Sequence, residues 1–427
     1  MAKVHFKVLG CRLNQAEAER MAQGFMLAGH EVVDDPEQAD ICVINTCTVT
    51  TASGAKSRRA AKRRKPGQRI VVTGCHSEVH PEEFHQADLI VANAEKDHLV
   101  ALTLERFGLD GYALGMEYRP TGRLHLYPLV LDHTRAFVKI QDGCDFRCTF
   151  CLTTIARGPS RSRPLEEVVA EVQTLAQQGC QEVVLTGVQA GSYGQELGTD
   201  LGKLLERLLT TTDIPRVRLS SLEPWSFNVE WLELWARFKG RLCRHVHMSL
   251  QSGCNTVLRR MRRAYRAETY AEKVAAIRAA VPDVAITTDI IVGFPGETED
   301  EHRASLAFVE QIGFAGAHIF PYSPRPGTRA ATMPGQVPGD IKRRRYEEMK
   351  AVTDASAAAF RQAMLGHVLP VLWEQREADG ALSGLTDNYL RVHVPAGTVQ
   401  PNTITPTRLT HASGGRLWGT PLEGARQ

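Results

Sequence analysis

A repeated alternation of short apolar strand patterns with amphipathic helix patterns constrains this chain more than any other feature. From residues 135–140 onward it recurs about six times. Helix is expected over 165–178, 201–209, 229–238, 270–280 and 300–312, and strand over 182–185, 216–220, 245–250, 285–292 and 316–321. Strands separated by helices run parallel, because each crossover returns the chain to the same end of the sheet. A full or partial parallel barrel follows, with its ligand site at the carboxyl-terminal strand ends.

The same rhythm opens the chain. Residues 3–9 alternate as a strand, a helical pattern runs over 15–28, and residues 41–44 and 69–72 read as two more strands. The strand ends deliver Cys11, Cys47 and Cys75, and in open α/β sheets ligands gather at those ends. After an alanine-rich helix to about residue 364, five short strands are expected at 368–374, 382–386, 389–394, 403–409 and 416–420, the pattern of a small barrel. The fold class is therefore α/β with three parts: an amino-terminal parallel α/β domain (1–125), a central open, TIM-like partial barrel (133–350) and a carboxyl-terminal small β-barrel (360–427). Gly and Pro within residues 101–127 mark the first crossing.

At 427 residues, 43% hydrophobic and 23% charged, the chain has ample material for real cores and no sign of gross disorder. A net charge of +3 means that a nucleic-acid partner must be sought in local clusters. No apolar run reaches the roughly 18 residues of a membrane span and no signal-peptide pattern opens the chain, so a cytoplasmic protein without a membrane partner is expected. Ten cysteines in such a chain point to metal or redox use before disulfides. Cys42, Cys180, Cys243 and Cys254 lack partner spacing and are expected as small buried thiols.

Asp142-Gly143-Cys144-Asp145-Phe146-Arg147-Cys148-Thr149-Phe150-Cys151 concentrates three thiols at the end of the first barrel strand. A structural zinc site wants four protein ligands, whereas an iron–sulfur cluster on three cysteines leaves one iron open to another ligand. On spacing alone, zinc with a distant fourth ligand and unrelated thiols stay open. The same holds for Cys11, Cys47 and Cys75, where His76 or His80 would complete a zinc site.

The spacing Cys-x3-Cys-x2-Cys, with an aromatic before the last cysteine, resembles the cluster loop of radical S-adenosylmethionine (SAM) enzymes. The resemblance implies that Cys144, Cys148 and Cys151 hold a [4Fe-4S] cluster whose free iron chelates SAM. The reduced cluster then cleaves the sulfonium to a 5′-deoxyadenosyl radical, and Phe150 packs beside the adenine. Leu9-Gly10-Cys11-Arg12-Leu13-Asn14-Gln15, Asn45-Thr46-Cys47-Thr48-Val49-Thr50 and Thr73-Gly74-Cys75 sharpen it to the methylthiotransferases, which carry a second [4Fe-4S] cluster, here on Cys11, Cys47 and Cys75. The strand-end stretches Thr186-Gly187-Val188-Gln189, Ser220-Ser221-Leu222-Glu223-Pro224, His247-Met248-Ser249-Leu250-Gln251-Ser252-Gly253 and Asp289-Ile290-Ile291-Val292-Gly293-Phe294-Pro295 match the same family. By that likeness Thr186, Gly187, Ser221, Glu223, Gln251 and Asp289 bind the cofactor. Taken singly, Glu223, Gln251 or Asp289 could equally hold its own loop.

Lys56, Arg58, Arg59, Lys62, Arg63, Arg64, Lys65 and Arg69 form the densest basic run, with no acidic residue among them. A helix ending near Pro66-Gly67 would put positions 56, 59 and 63 on one face, near Cys47 and Cys75, where phosphates would be bound. Arg259, Arg260, Arg262, Arg263 and Arg266 are a second basic cluster, and Arg157-Gly158-Pro159-Ser160-Arg161-Ser162-Arg163-Pro164, directly after the cysteine loop, is read either as a phosphate or SAM carboxylate contact or as a plain helix-capping loop. Trp373-Glu374 and Gly384-Leu385-Thr386-Asp387-Asn388-Tyr389 resemble the TRAM module of RNA-modifying enzymes, with Tyr389 and Arg391 offered to RNA.

The resemblance implies a tRNA methylthiotransferase, most like the type that converts N6-threonylcarbamoyladenosine at position 37 of the anticodon loop to its 2-methylthio derivative. Hydrogen abstraction from C2, sulfur insertion and methyl transfer would be the steps, served by an electron donor and a sulfur source. Isopentenyladenosine in tRNA and a ribosomal-protein aspartate are the alternative substrates. A non-catalytic RNA-binding protein with zinc or redox-sensing cysteines is the alternative of another class. Phe146 stands where the family usually has asparagine, Cys254 where serine is common, and His76-Ser77-Glu78 where a small residue and glutamine follow the cysteine.

Overall fold

The computed structural model describes residues 1–109, 130–131 and 133–422, so the expected crossing at 101–127 lies largely outside the described residues. The chain divides into two compact units. One comprises Met1–Gly179, Leu185–Asp200 and Ser323–Ala331, and the other Cys180–Val184, Leu201–Tyr322 and Thr332–Gln427.

The first unit opens with strands β1 (Lys3–Val8), β2 (Glu31–Val32), β3 (Ile41–Thr46), β4 (Arg69–Gly74) and β5 (Leu89–Ile90). They form one sheet in the order β2-β1-β3-β4-β5, every pair parallel. Helices α1 (Arg12–Leu27), α2 (Thr51–Lys62) and α3 (Cys75–Val79) follow β1, β3 and β4, and α4 (Leu99–Phe107) follows β5. Strand β3 is buried at all six residues, as a central strand covered on both faces must be. The two-residue period separates its side chains: Val43 packs with Phe25 and Val71 in one core, while Cys42 and Ile44 pack with Ile70, Val72 and Phe84 in another.

The basic run is a shorter helix than its composition suggests. Helix α2 stops at Lys62, and Arg63 is extended at φ −86°, ψ 109°. A proline at 66 disfavours helix in the residue before it, and Arg64 and Lys65 are drawn off to Asp88 and the Glu37 carbonyl at 2.8 and 2.7 Å. Arg58 pairs with Glu83 at 3.0 Å, and Arg69 donates to the Phe107 carbonyl at 3.0 Å. Lys56, Arg59, Lys62 and Arg63 are exposed, and their side chains make no hydrogen bond or ion pair among the described residues. Arg63 therefore does not share a helical face with Lys56 and Arg59.

The first unit continues through β6 (Ala136–Lys139), β7 (Gln141–Asp142), α5 (Thr153–Arg157), β8 (Arg161–Ser162) and α6 (Leu165–Gln177). Strand β9 (Glu182–Thr186) has its last two residues in this unit, where Ile140 N–H donates to the Thr186 carbonyl at 2.9 Å.

In the second unit, α7 (Leu201–Thr211) buries Leu201, Leu204, Leu205, Leu208 and Leu209, the i, i+3, i+4 stripe of an amphipathic helix. Strands β10 (Arg216–Leu219), β11 (Ser221–Leu222), β12 (His245–Met248), β13 (Ala285–Val292) and β14 (Gly316–Pro321) alternate with α8 (Leu232–Arg237), α9 (Asn255–Arg260), α10 (Ala267–Ala280) and α11 (Glu299–Ile312). Strands β11 to β14 form a parallel sheet in sequence order. The strand expected over 216–220 is thus broken at Ser220, and the helix expected over 229–238 starts with a 3-10 turn at Val229–Trp231. Thr298 and Glu301 close a reciprocal cap at the start of α11.

After α12 (Gly339–Ala363), β15 (Val368–Arg376), β16 (Leu382–Thr386), β17 (Arg391–Val394), β18 (Ile404–Ser413) and β19 (Arg416–Pro421) close a barrel in the order β15-β16-β17-β19-β18. Trp373 is its largest fully buried side chain, packed with Val371, Val392 and Leu409. Five strands were expected and five are present, but Tyr389 lies in the turn before β17 at φ +68°. Of the four cysteines expected to be buried, Cys42, Cys180 and Cys243 are. Cys254 is half-buried because it caps α9.

The second unit is cross-braced by one carboxylate. Fully buried Glu182 accepts from Arg218 at 2.7 and 3.2 Å and pairs with Arg216. Arg218 also donates to the carbonyls of Thr386 and Asp387, both at 3.0 Å, and Arg216 donates to that of Leu385 at 3.1 Å. Removing one partner of such a set leaves buried cations uncompensated, at a cost of about 3–5 kcal/mol. Glu182→Ala is expected to lower the unfolding free energy by that amount in urea melts, and a loss under about 1 kcal/mol would contradict the bracing role.

Candidate functional site

Both cysteine sets lie in the first unit. Gly143, at φ +72°, turns the chain from β7 into the loop of Cys144, Cys148 and Cys151. A β-carbon there would stand 1.9 Å from the Pro159 carbonyl oxygen, so only glycine fits. Cys144 N–H then donates to the Gly158 carbonyl at 3.0 Å. The Gln141 amide nitrogen donates to the carbonyls of Asp142 and Gly143 and to Ser160 Oγ at 2.8–2.9 Å, while its oxygen accepts from Gln189 N–H at 2.7 Å. The loop base is thereby tied to the segment that follows β9. Cys151 Sγ accepts from Thr153 N–H at 3.3 Å. Phe150 is half-buried within the same loop.

The three other thiols sit at the ends of β1, β3 and β4. Gly10, at φ +99°, lets the first turn approach the third strand. A β-carbon on it would meet Cys47 Sγ at 2.6 Å. Cys47 N–H donates to Ser57 Oγ at 3.1 Å, and Thr46 Oγ1 accepts from the N–H groups of His76 and Ser77 at 3.2 and 3.1 Å. Burial pushes the Cys47 thiol up, and the neighbouring Cys75 adds to the rise. His76, the nearest candidate for a fourth zinc ligand, has its ring nitrogens against Glu83 Oε2 at 2.7 Å and Thr48 Oγ1 at 3.4 Å. Among the described residues no three His, Cys, Asp or Glu side chains stand ready around a metal ion, so neither set is drawn in to ligating geometry.

Arg157, which sequence reasoning left to phosphate, a SAM carboxylate or a capping loop, is instead buried against Cys75 of one set and Asp142 beside the loop of the other. Arg157, the last residue of α5, is 4% exposed and uses each of its five N–H donors. Nε donates to Cys75 Sγ at 3.1 Å. Nη1 donates to Glu17 at 2.8 Å and Asp142 at 2.9 Å, and Nη2 to Asn14 at 2.8 Å and Glu17 at 3.2 Å. Lys96 adds a bond to Glu17 at 2.8 Å, and Lys139 binds Glu17 at 3.1 Å and Asp142 at 2.6 Å. Burial alone would raise the Glu17 carboxyl, but Arg157, Lys96 and Lys139 outweigh it and hold it well below the usual range. Burial opposes the Arg157 charge, and Glu17, Cys75 and Asp142 outweigh that in turn.

This donor set suits an anionic iron–sulfur centre. Three thiols are presented with a guanidinium N–H on one of them, and a buried cation needs such a partner. The only sequence signal for it was the position of Arg157 directly after the cysteine loop. Its partners Asn14 and Glu17 look like ordinary polar residues of an amphipathic helix.

In the second unit, Asp289 on β13 accepts from Ser249 Oγ at 3.0 Å and faces His247 Nε2 at 3.2 Å. Burial would raise this carboxyl, and the two hydrogen bonds hold it below its ordinary value instead. An ionised carboxylate only accepts, so Nε2 of His247 carries the hydrogen. Gln251 takes a left-handed φ of +66°, costly for a non-glycine residue, and is held by backbone bonds from its N–H to the Asp289 carbonyl and from Ile291 N–H to its own carbonyl, both 2.8 Å. Ser221 is exposed and Glu223 half-buried.

The second basic cluster is partly committed. Arg263 lies over the Trp225 ring at 4.5 Å and donates to the Ser249 carbonyl at 3.1 Å, and Arg260 pairs with Glu301. Tyr389 is stacked on His245 with ring centroids 4.0 Å apart and planes at 7°. Arg391 is exposed on β17 and donates to Ser383 Oγ at 3.0 Å.

A family model described as the Radical SAM superfamily matches residues 138–309, and one described as Uncharacterized protein family UPF0004 matches residues 3–93. The Threonylcarbamoyladenosine tRNA methylthiotransferase MtaB of Bacillus subtilis is 38% identical over 92% of this chain and 90% of its own length. The tRNA-2-methylthio-N(6)-dimethylallyladenosine synthase of Akkermansia muciniphila is 32% identical over 99% of both. Among solved structures, the radical S-adenosylmethionine methyltransferase TsrM from Kitasatospora setae, with cobalamin and a [4Fe-4S] cluster bound, shares the fold. Its TM-score is 0.55 at 17% identity, over 78% of this chain and 77% of that one. With the cysteine loop at the end of its strand and relatives matched along nearly their whole length, this chain belongs to the radical SAM methylthiotransferase family, whose reaction uses a [4Fe-4S] cluster and SAM.

Proposed function

We propose that this chain methylthiolates tRNA, converting N6-threonylcarbamoyladenosine at position 37 of the anticodon loop to its 2-methylthio derivative. The observation that carries this reading is the 38% identity, along 92% of the chain, to a relative named for threonylcarbamoyladenosine, against 32% for one named for dimethylallyladenosine. A [4Fe-4S] cluster at Cys144, Cys148 and Cys151 would supply, with SAM, the radical that abstracts hydrogen from C2, and a second one at Cys11, Cys47 and Cys75 the sulfur to be inserted. The chain's own part is to position and shield.

Phe150, Thr186 and Gly187 would hold SAM at the loop base, and Ser221, Glu223, Gln251 and Asp289 keep the cofactor role that the family resemblance gives them. Exposed Lys56, Arg59 and Arg63 offer phosphate contacts, as does Arg391 on the barrel, with Tyr389 fixing the turn that presents it. In this reading residues 1–125 handle sulfur, 133–350 generate the radical and 360–427 bind RNA. The site of action would be the cytoplasm, where an electron donor and a sulfur source serve it. No described helix is long and apolar enough to cross a membrane.

Mass spectrometry of tRNA nucleosides from a deletion strain is expected to show loss of 2-methylthio-N6-threonylcarbamoyladenosine with its unmodified parent accumulating. Loss of the isopentenyl derivative instead would replace this substrate by the other. Anaerobically reconstituted protein is expected to hold about eight iron per chain, about four for each cluster. Cys47→Ala would lower that to about four, and an unchanged count in this variant would remove the second cluster.

A further inference from the structure

The five charged groups around Arg157 do not balance. Glu17 and Asp142 are two carboxylates, and Arg157, Lys96 and Lys139 are three cations, all joined by the contacts given above. Arg157, Lys96 and Glu17 are each no more than 6% exposed, so water does little to screen the surplus positive charge. A surplus charge in a buried place is costly unless something negative faces it. Of the two remaining partners of the Arg157 side chain, Asn14 is neutral and the other is Cys75 Sγ.

The same side chain also reaches the other cysteine turns. Asn14, which accepts from Arg157 Nη2, donates through Nδ2 to the Leu9 carbonyl at 2.7 Å and the Thr46 carbonyl at 3.0 Å, just before Gly10-Cys11 and Cys47. On the opposite side, Asp142 accepts from Arg157 and from Gly143 N–H at 2.8 Å, at the mouth of the Cys144 loop. Arg157 thus touches Cys75 directly, the turns of Cys11 and Cys47 through Asn14, and the radical-cluster loop through Asp142.

We infer that Arg157 is a positioning and electrostatic residue of the Cys11, Cys47, Cys75 centre: it orients the Cys75 sulfur and supplies the net positive charge that favours the more reduced, more negative state of a cluster bound there. This rests on the proposal that a second cluster is held by those thiols. A lysine at 157 would keep the charge but lose the planar fork, and glutamine would lose the charge and most of the donors. Glu17→Gln works the other way, removing one of the two balancing carboxylates while leaving Arg157 in place.

The test uses the full-length chain with Cys144, Cys148 and Cys151 replaced by alanine, so that one cluster is left, reconstituted anaerobically and titrated with dithionite under electron paramagnetic resonance. The parent is expected to hold about four iron. Arg157→Gln with the same iron content is expected to show a tenfold fall in the reduced-to-oxidised ratio at fixed potential, about 59 mV for a one-electron couple. Arg157→Lys should recover at least half of that shift. Glu17→Gln should shift in the opposite direction, which keeps the test decisive if the Arg157→Gln protein fails to fold. An unchanged midpoint in Arg157→Gln at full iron content, or no upward shift in Glu17→Gln, would reduce the arginine to a structural tie and overturn the inference. A parent without iron would overturn it differently, by removing the second cluster itself, and metal analysis shows that before any potential is measured.

Discussion

A guanidinium with every donor engaged is a rigid object, and the first unit is built around one. Arg157 can satisfy five acceptors only if α1, the start of α3, the β7 turn and the end of α5 all reach it. Each of those elements ends or begins beside a cysteine. The parallel sheet places the ends of β1, β3 and β4 together, and the left-handed glycines at 10 and 143 let the turns come close. The arginine then specifies how they are arranged, because an unmade bond to a buried charge costs more than a made one contributes.

Some of this was legible in the chain. The alternation of strand and helix, the five strands of the small barrel and the delivery of one cysteine by each of β1, β3 and β4 follow from local periods of two and 3.6, and the structure has them. What was not legible depends on distant partners. Arg157 and Glu17 are 140 positions apart, and nothing in the residues around Glu17 distinguishes a buried carboxylate from a solvated one. Arg64 and Lys65 looked like helix because their composition is helical, and they left it for partners at Asp88 and Glu37. Tyr389 was read into a strand because aromatics favour strands, whereas a stacked histidine and a left-handed turn hold it.

The same contrast governs the charges. A net +3 hides a division of the basic run into residues committed to the fold and residues left for a partner. Arg58, Arg64, Lys65 and Arg69 hold the first unit together, and Lys56, Arg59, Lys62 and Arg63 stay exposed. Arg216 and Arg218 are likewise fold-committed in the second unit, where Glu182 and four barrel carbonyls absorb them. Counting basic residues therefore overstates the surface open to phosphate, and the partner of each cation decides its role.

The two units use buried ion clusters in opposite ways. In the second, Glu182 is bracketed by two arginines whose spare donors end on backbone carbonyls, which are fixed dipoles that carry no net charge and take part in no reaction. The surplus there is absorbed by the fold itself, so the cluster acts as a brace. In the first, the surplus is not absorbed by carbonyls. Arg157 ends on a thiol whose charge depends on what it binds. Lys96 shows the strain of that arrangement: burial lowers its affinity for the proton, Glu17 partly restores it, and Arg157 works against it again. A brace can be replaced by apolar residues of similar volume with little loss. A cluster left positive toward a thiol cannot, because apolar residues would leave nothing to meet the group that its imbalance calls for.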